Sequence, residues 1–428
     1  MNKESNFMFQ KTVLKNGLRI ITLPMKNTEA VTVLVLVGTG SKYEKKETNG
    51  ISHFLEHLYF KGTKKRPTPL AVAETLDRVG GIYNAFTGDD YTGYFAKVSY
   101  SRLDLALDWV SDIFLNSILP EKEIEKERGV ITEEINMTLD NPMSYVQELW
   151  SELLYGNQPA GWPIAGTKEN IKEISRQDLL QYRTDQYVAK NTIVAVAGKI
   201  DSKSIIEEIE KIFSKISTSK PSVKQKLIEK QQKPELLFHY KETDQSHICF
   251  GVRSYNIFHP LKYTQELLAL ILGGMMSSRL FVEVRGKLGL AYYISSDAIA
   301  NADSGYLVTQ AGVDNKKIEK AVSVILKEYK RIAKDKVSED ELQKAKDYFK
   351  GKMSLLLESS DQQAVFCTMQ EIIEKKIMTP EEIFSEIDKV SRDDILKLAK
   401  DIFRPDKLNL AVIGPFKDKD KFKKIVKL

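Results

Sequence analysis

The chain repeats itself, and that constrains its fold more than any local pattern does. SRQDLLQYRTDQYVAKNTIVAVAGKI, from Ser175, aligns without a gap with SRDDILKLAKDIFRPDKLNLAVIGPF, from Ser391, at an offset of 216 residues. Earlier in each half, GYFAKV at Gly93 answers GYLVTQ at Gly305 at an offset of 212. The amphipathic set Leu103, Ala106, Leu107 and Val110 answers Ile318, Ala321, Val322 and Ile325 at 215. Small drifts of offset are what insertions confined to loops produce, and self-similarity on this scale means one structural unit used twice. The expected domains are residues 1–213 and 235–428, joined by a lysine-rich linker over 214–234. Each half opens on runs rich in β-branched or aromatic residues, LRIITLP and VTVLVLVG in the first and LLFHYK and HICFGV in the second. It then passes through helices, returns to a strand and closes on helix, strand and helix. Strands thus come in groups and not in strict βαβ alternation, which predicts an α+β chain of two tandem homologous α/β-sandwich domains, each a mixed sheet packed with helices.

Charge narrows the function. The formal net charge is +5, and the segment Ser214–Pro234, with six lysines and one glutamate, accounts for 6 − 1 = +5 of it. The rest of the chain is balanced, so the basic face that nucleic-acid binding requires is missing and no nucleic-acid partner is expected. Two cysteines, Cys249 and Cys367, lie in apolar surroundings without CxxC spacing, which predicts neither a disulfide framework nor a thiolate metal site and fits a reducing, cytoplasmic setting. No apolar leader opens the sequence, and the longest apolar run, near VTVLVLVG, is too short for a bilayer, so no membrane association is expected.

The chemistry is concentrated in GISHFLEHLYFKGT, Gly50–Thr63, which holds two of the chain's five histidines. On a helix, His53, Glu56 and His57 share one face of one turn. Two neutral imidazoles can hold zinc, but a catalytic zinc needs a third protein ligand and an open position. EKEIEKERGVITEEINMTLDNP supplies the candidate: a helical pattern that stops at Asn141-Pro142 and aligns Glu127, Val130, Ile131 and Glu134 on one stripe, with Glu133 turned about 100° away. Carboxylates on an otherwise apolar inner stripe call for a cation. Glu134 is the candidate ligand, and Glu127 a supporting acid able to orient a ligating histidine. His239, His247 and His259 have no ligand spacing and read as structural.

His-x-x-Glu-His, followed 77 residues after its second histidine by the glutamate that ends ERxVIxxE, is the inverzincin order. With LKNGL near residue 14, GGIYNAFTG from Gly80 and RGKLGLAY from Arg285, the chain resembles, over essentially its whole length, the family of pitrilysin, insulin-degrading enzyme and mitochondrial processing peptidase, in its short two-domain branch. The resemblance implies one zinc per chain held by His53, His57 and Glu134, with Glu56 deprotonating the metal's water and Glu127 assisting the ligands. It implies that the edge strand carrying Asn84 and Ala85 receives the substrate backbone as an added strand, giving affinity with loose sequence preference. It also implies that Arg285 and Tyr292 reach substrate or the developing oxyanion.

The second half lacks the metal set: at an offset of 218, Ala345 stands opposite Glu127 and Lys352 opposite Glu134. Relatives enclose their site between two paired halves of this size, so a homodimer is expected, a heterodimer being the other arrangement, with peptides as the substrates. Two other functional classes fit such a chain. A non-catalytic scaffold or partner subunit is disfavoured by the intact set of His53, Glu56, His57 and Glu134. A peptide-binding module with a structural zinc is disfavoured by Glu56, because a closed site has no use for a base beside the metal.

Overall fold

Eleven strands fall into two sheets in the computed structural model, which describes residues 7–417 and 420–426. The first sheet holds β1 (Gln10–Val13), β2 (Arg19–Pro24), β3 (Ala30–Val37), β4 (Ile82–Thr87), β5 (Thr92–Ser99) and β6 (Thr192–Gly198), in the order β1-β2-β6-β3-β5-β4. The second holds β7 (Glu235–Tyr240), β8 (Gln245–Arg253), β9 (Ala291–Ala300), β10 (Gly305–Asp314) and β11 (Leu408–Gly414), in the order β7-β11-β8-β10-β9. Both sheets are mixed. β2 pairs parallel with β6, and β7 with β11, while the other pairings are antiparallel. The α+β architecture of two sheet-and-helix layers expected from the repeat is therefore what the chain forms.

Why β3 reads AVTVLVLV follows from its place in the middle of the first sheet. All of it after Ala30 is buried, because helix Leu103–Asn116 covers one face and helix Ser360–Glu374 the other. A strand buried on both faces has no use for a polar alternate. Thr32, the exception, bonds Ser360 Oγ at 2.8 Å. The duplicated Ser-x-x-Asp runs form the same device twice: Ser175 with Asp178, and Ser391 with Asp394, are capping boxes opening helices Arg176–Gln186 and Arg392–Ile402. Asn141 caps the helix that begins at Pro142, and this is why helix Glu121–Asp140 stops where it does.

The compact units partition the chain differently from the repeat. One comprises residues 1–136, 162–226 and 354–381, and the other 137–161, 227–353 and 382–428. Helix Ser360–Glu374, in the second half of the repeat, thus belongs to the first sheet, where Asp361 meets Lys97 at 2.6 Å and Glu371 meets Lys11 at 3.0 Å. Helix Pro142–Tyr155, in the first half, buries Val146, Leu149 and Trp150 with Cys249, Ala411 and Ile413 of the second sheet. The lysine-rich linker has no regular structure over 217–232, but it is anchored: Lys224 bonds Asp90 at 2.6 Å, and Gln231 accepts from Arg253 Nε at 2.7 Å. Both cysteines are free and buried.

Candidate metal centre

The first unit carries every candidate metal residue. His53, Glu56 and His57 lie on helix Ile51–Leu58, whose Phe54, Leu55 and Leu58 are buried in the core while the histidines look outward. Helix Glu121–Asp140 is anchored beside it. Arg128 stacks over Phe54 with its guanidinium 5.6 Å from the ring centroid and donates to the carbonyls of Ile171 and, at 2.7 Å, Ile174. Ile124 and Ile131 enter the same core. Val130, on the rim of the glutamate stripe, is 44% exposed and takes no part in it. Glu133 is exposed, as its helical angle requires.

Between the two helices the donors converge. Glu134 Oε2 lies 3.6 Å from His53 Nε2 and 3.5 Å from His57 Nε2, and one donor atom from each of the three residues falls within 4.8 Å of the others. Donors 2.0–2.1 Å from a tetrahedral ion stand about 3.3–3.4 Å apart. Both nitrogen–oxygen separations are close to that spacing, so two imidazoles and a carboxylate gathered here suit zinc in donor type, with a fourth position left over. Glu127, only 4% exposed, accepts from His57 Nδ1 at 3.0 Å and from Lys61 Nζ at 2.8 Å. A proton on His57 Nδ1 leaves the Nε2 lone pair free for a metal. Among the described residues His53 Nδ1 is buried without a hydrogen-bond partner, and His57 is the imidazole held from behind.

Electrostatics sort the four acids and bases. Burial, reinforced by the neighbouring His57, lowers His53 to about 4, so its imidazole is neutral. Burial also acts to lower His57, but the Glu127 hydrogen bond and the charges of Glu134, Glu127 and Glu56 outweigh it and raise His57. Glu127 is buried, which favours its protonated form, yet its bonds to His57 and Lys61 prevail and hold it below the ordinary carboxylate range. Glu56 goes the other way: burial raises it, and the Thr87 hydrogen bond and His57 only partly offset this. Thr87 Oγ1 donates to Glu56 Oε2 at 2.5 Å, and Oε1 has no protein partner among the described residues. Thr87 is the residue that sequence reasoning missed. It sits three places after Asn84 in the same run, but only the pairing of β4 with β5 shows which face it takes.

The remaining candidates are placed as follows. Among the described residues β4 pairs only with β5, so Asn84 and Ala85 are on an edge strand. The Asn84 side chain accepts the Ala85 N–H at 2.9 Å, covering a group that an added strand would use. Arg285 and Tyr292 belong to the second unit. Arg285 stacks on Phe281, its guanidinium 4.8 Å from the ring centroid, and Tyr292, at the start of β9, is 62% exposed. The other histidines pair with aromatic rings: His239 with Tyr145, His247 with Tyr293 and His259 with Tyr255.

Comparison with known proteins places the chain in a family. The family described as Insulinase (Peptidase family M16) matches residues 19–168, and its companion, the Peptidase M16 inactive domain, matches residues 173–349. An uncharacterized zinc protease of Bacillus subtilis is 36% identical over 95% of this chain and 98% of its own length. One from Rickettsia bellii is 34% identical over 95% and 98%. Among solved structures, a protease from Helicobacter pylori superimposes with a TM-score of 0.89 at 25% identity, covering 96% of this chain and 100% of its own. A Pseudomonas fluorescens protein, 16% identical with a TM-score of 0.85, shares the fold.

Proposed function

The chain belongs to the insulinase family, peptidase family M16, and on that premise we propose that it is a zinc-dependent endopeptidase acting on short or unstructured peptides. The observation that carries this reading is the convergence of His53, His57 and Glu134 on one point, with a carboxyl of raised pKa, Glu56, on the same helical turn as the histidines. One zinc per chain, held by those three residues, would polarise the scissile carbonyl and lower the pKa of water from about 15.7 towards roughly 7.

The chain's own residues divide the remaining work. Glu127 keeps the proton on His57 Nδ1 and so aims Nε2. Glu56, fixed through Oε2 by Thr87, takes a proton from the attacking water at Oε1 and passes it to the leaving amine. A carboxyl lifted from its ordinary range does both better, because proton acceptance and return are more nearly balanced. The edge of β4 receives the substrate backbone at Ala85, and the Asn84 side chain must swing off the Ala85 N–H for that bond to form. Arg285 and Tyr292 donate to the developing oxyanion, from the neighbouring subunit of a homodimer. Mixing His53→Ala chains with Arg285→Ala chains should then restore activity that neither has alone; no rescue despite demonstrated subunit exchange rejects donation in trans.

The test of the reaction is digestion of a panel of short unstructured peptides with and without chelator, beside Glu56→Gln. Cleavage that chelator abolishes and Glu56→Gln lacks is the expected result. Equal, chelator-insensitive cleavage by both proteins overturns the assignment.

A further inference from the structure

Helix Ile51–Leu58 is eight residues long, and like any helix it begins with backbone N–H groups that have no partner within it. A Ser, Thr, Asp or Asn at the N-cap ordinarily meets them. Here the N-cap is Gly50, at φ 99°, and no side chain fits there: a Cβ would stand 2.7 Å from the Ala165 carbonyl oxygen and 2.9 Å from Gly166 Cα. The cap comes instead from Glu44, which is only 6% exposed. Its Oε2 accepts from Gly50 N at 2.7 Å and from Asn49 Nδ2 at 2.9 Å, and its Oε1 accepts from Ser52 N at 2.9 Å. On the same turn Ser52 Oγ lies 2.8 Å from Tyr182 Oη, which lies 2.7 Å from Thr39 Oγ1.

Residue type matters at this position. Three N–H donors converge on two acceptor oxygens, an arrangement that a carboxylate satisfies completely. An amide would offer one acceptor and turn its own N–H₂ towards a backbone donor. Among the described residues no cation pairs with Glu44, so its charge is met by N–H groups and by the positive end of the helix. Burial opposes that charge and raises the Glu44 carboxyl, while the bonds from Ser52, Gly50 and Asn49 lower it, and what the arrangement secures is the turn from which His53, the residue after Ser52, projects.

We propose that Glu44 is a positioning residue for the metal centre: by holding the first turn of helix Ile51–Leu58 it sets the place of His53 Nε2 and His57 Nε2 relative to Glu134. The proposal rests on the zinc reading above and gives Glu44 no contact with metal or substrate. It concerns the affinity and geometry of the bound ion, which can be read without any peptidase assay.

The experiment uses the full chain. Zinc affinity is measured by competition with a chromophoric chelator, ligand geometry by the visible spectrum of the cobalt(II)-loaded protein, and folding by circular dichroism and urea unfolding of the metal-free form. Glu44→Gln should remain folded, bind zinc roughly 10- to 100-fold more weakly, the usual range for losing a residue that supports metal ligands, and show a shifted cobalt spectrum. Ile209→Ala is the control. Ile209 is fully buried on helix Ser202–Ile212, which packs on β2, so this variant should lose stability and keep zinc affinity within about twofold. Should Glu44→Gln not fold, Glu44→Asp, which keeps both oxygens one methylene short, should show at least a tenfold loss. A folded Glu44 variant with the parent's affinity and cobalt spectrum overturns the proposal, as does an equal loss of affinity in Ile209→Ala. Failure of the parent to bind zinc would instead refute the zinc reading itself.

Discussion

Replacing Glu127 tests whether the acid behind His57 matters to the metal and not merely to the packing of two helices. Glu127 is 4% exposed and spans His57 Nδ1 at 3.0 Å and Lys61 Nζ at 2.8 Å. A hydrogen bond to a charged group contributes about 1.5–3 kcal/mol and a neutral one about 0.5–1.5. Glu127→Gln keeps a hydrogen bond to His57 but makes it neutral, a loss of about 1–1.5 kcal/mol, of which only the His57 side acts on the metal. Since about 1.4 kcal/mol is a factor of ten, zinc should bind Glu127→Gln about tenfold more weakly. Glu127→Ala frees His57 to rotate and to take the other tautomer, and it leaves the Lys61 ammonium without its carboxylate, so its loss should approach about 100-fold. Competition of the folded proteins with a chromophoric chelator at pH 7 gives both values. Affinities within twofold of the parent for both variants rule out this role for Glu127, because His57 would then be aimed by something else.

Three further outcomes follow from the structure. Glu56→Gln should abolish peptide cleavage yet bind zinc as the parent does, checked by the same competition; loss of metal would make Glu56 a ligand and not a base. Trp150→Ala, removing a side chain 2% exposed in the core beneath β8 and β11, should cost about 3–5 kcal/mol in urea unfolding of the second unit; a loss below about 1 kcal/mol contradicts the packing described. Arg279 grips Glu341 with a two-pronged bond of 2.7 and 2.9 Å and, with Ser338 assisting and burial opposing, holds its carboxyl down to about 2. A depressed acid stabilises the fold above its unfolded pKa, near 4.3, and stops doing so as pH falls through its folded value. The thermal midpoint of Glu341→Gln should therefore lie below the parent's at pH 7, and the gap should close between about pH 4.5 and 2. A gap independent of pH removes this ion pair from the account.

Some of this was legible in the residues because it is local. A helix ending at Asn141-Pro142, the paired Ser-x-x-Asp caps and the common face of His53, Glu56 and His57 each depend on spacings of a few positions, and such spacings survive folding unchanged. Glu127 and Glu134 could be found because acids on an apolar stripe are costly without a cation. What stayed hidden depends on which element packs on which. Helices Pro142–Tyr155 and Ser360–Glu374 declare an apolar face by their periodicity, but nothing in that period says which sheet will cover it. Thr87 needed the strand register, and Glu44 the close approach of residues 165 and 166 to Gly50. Composition marks 214–234 as a lysine-rich linker, but it does not show that Lys224 is tied to Asp90 in the turn between β4 and β5.

Anomalous diffraction at the zinc absorption edge, from crystals of the zinc-loaded protein, locates the ion. The expected result is one peak per chain, about 2.0–2.2 Å from His53 Nε2, His57 Nε2 and a Glu134 carboxylate oxygen. A peak elsewhere, or Glu134 turned away from the imidazole pair, means that these three residues do not form the zinc site.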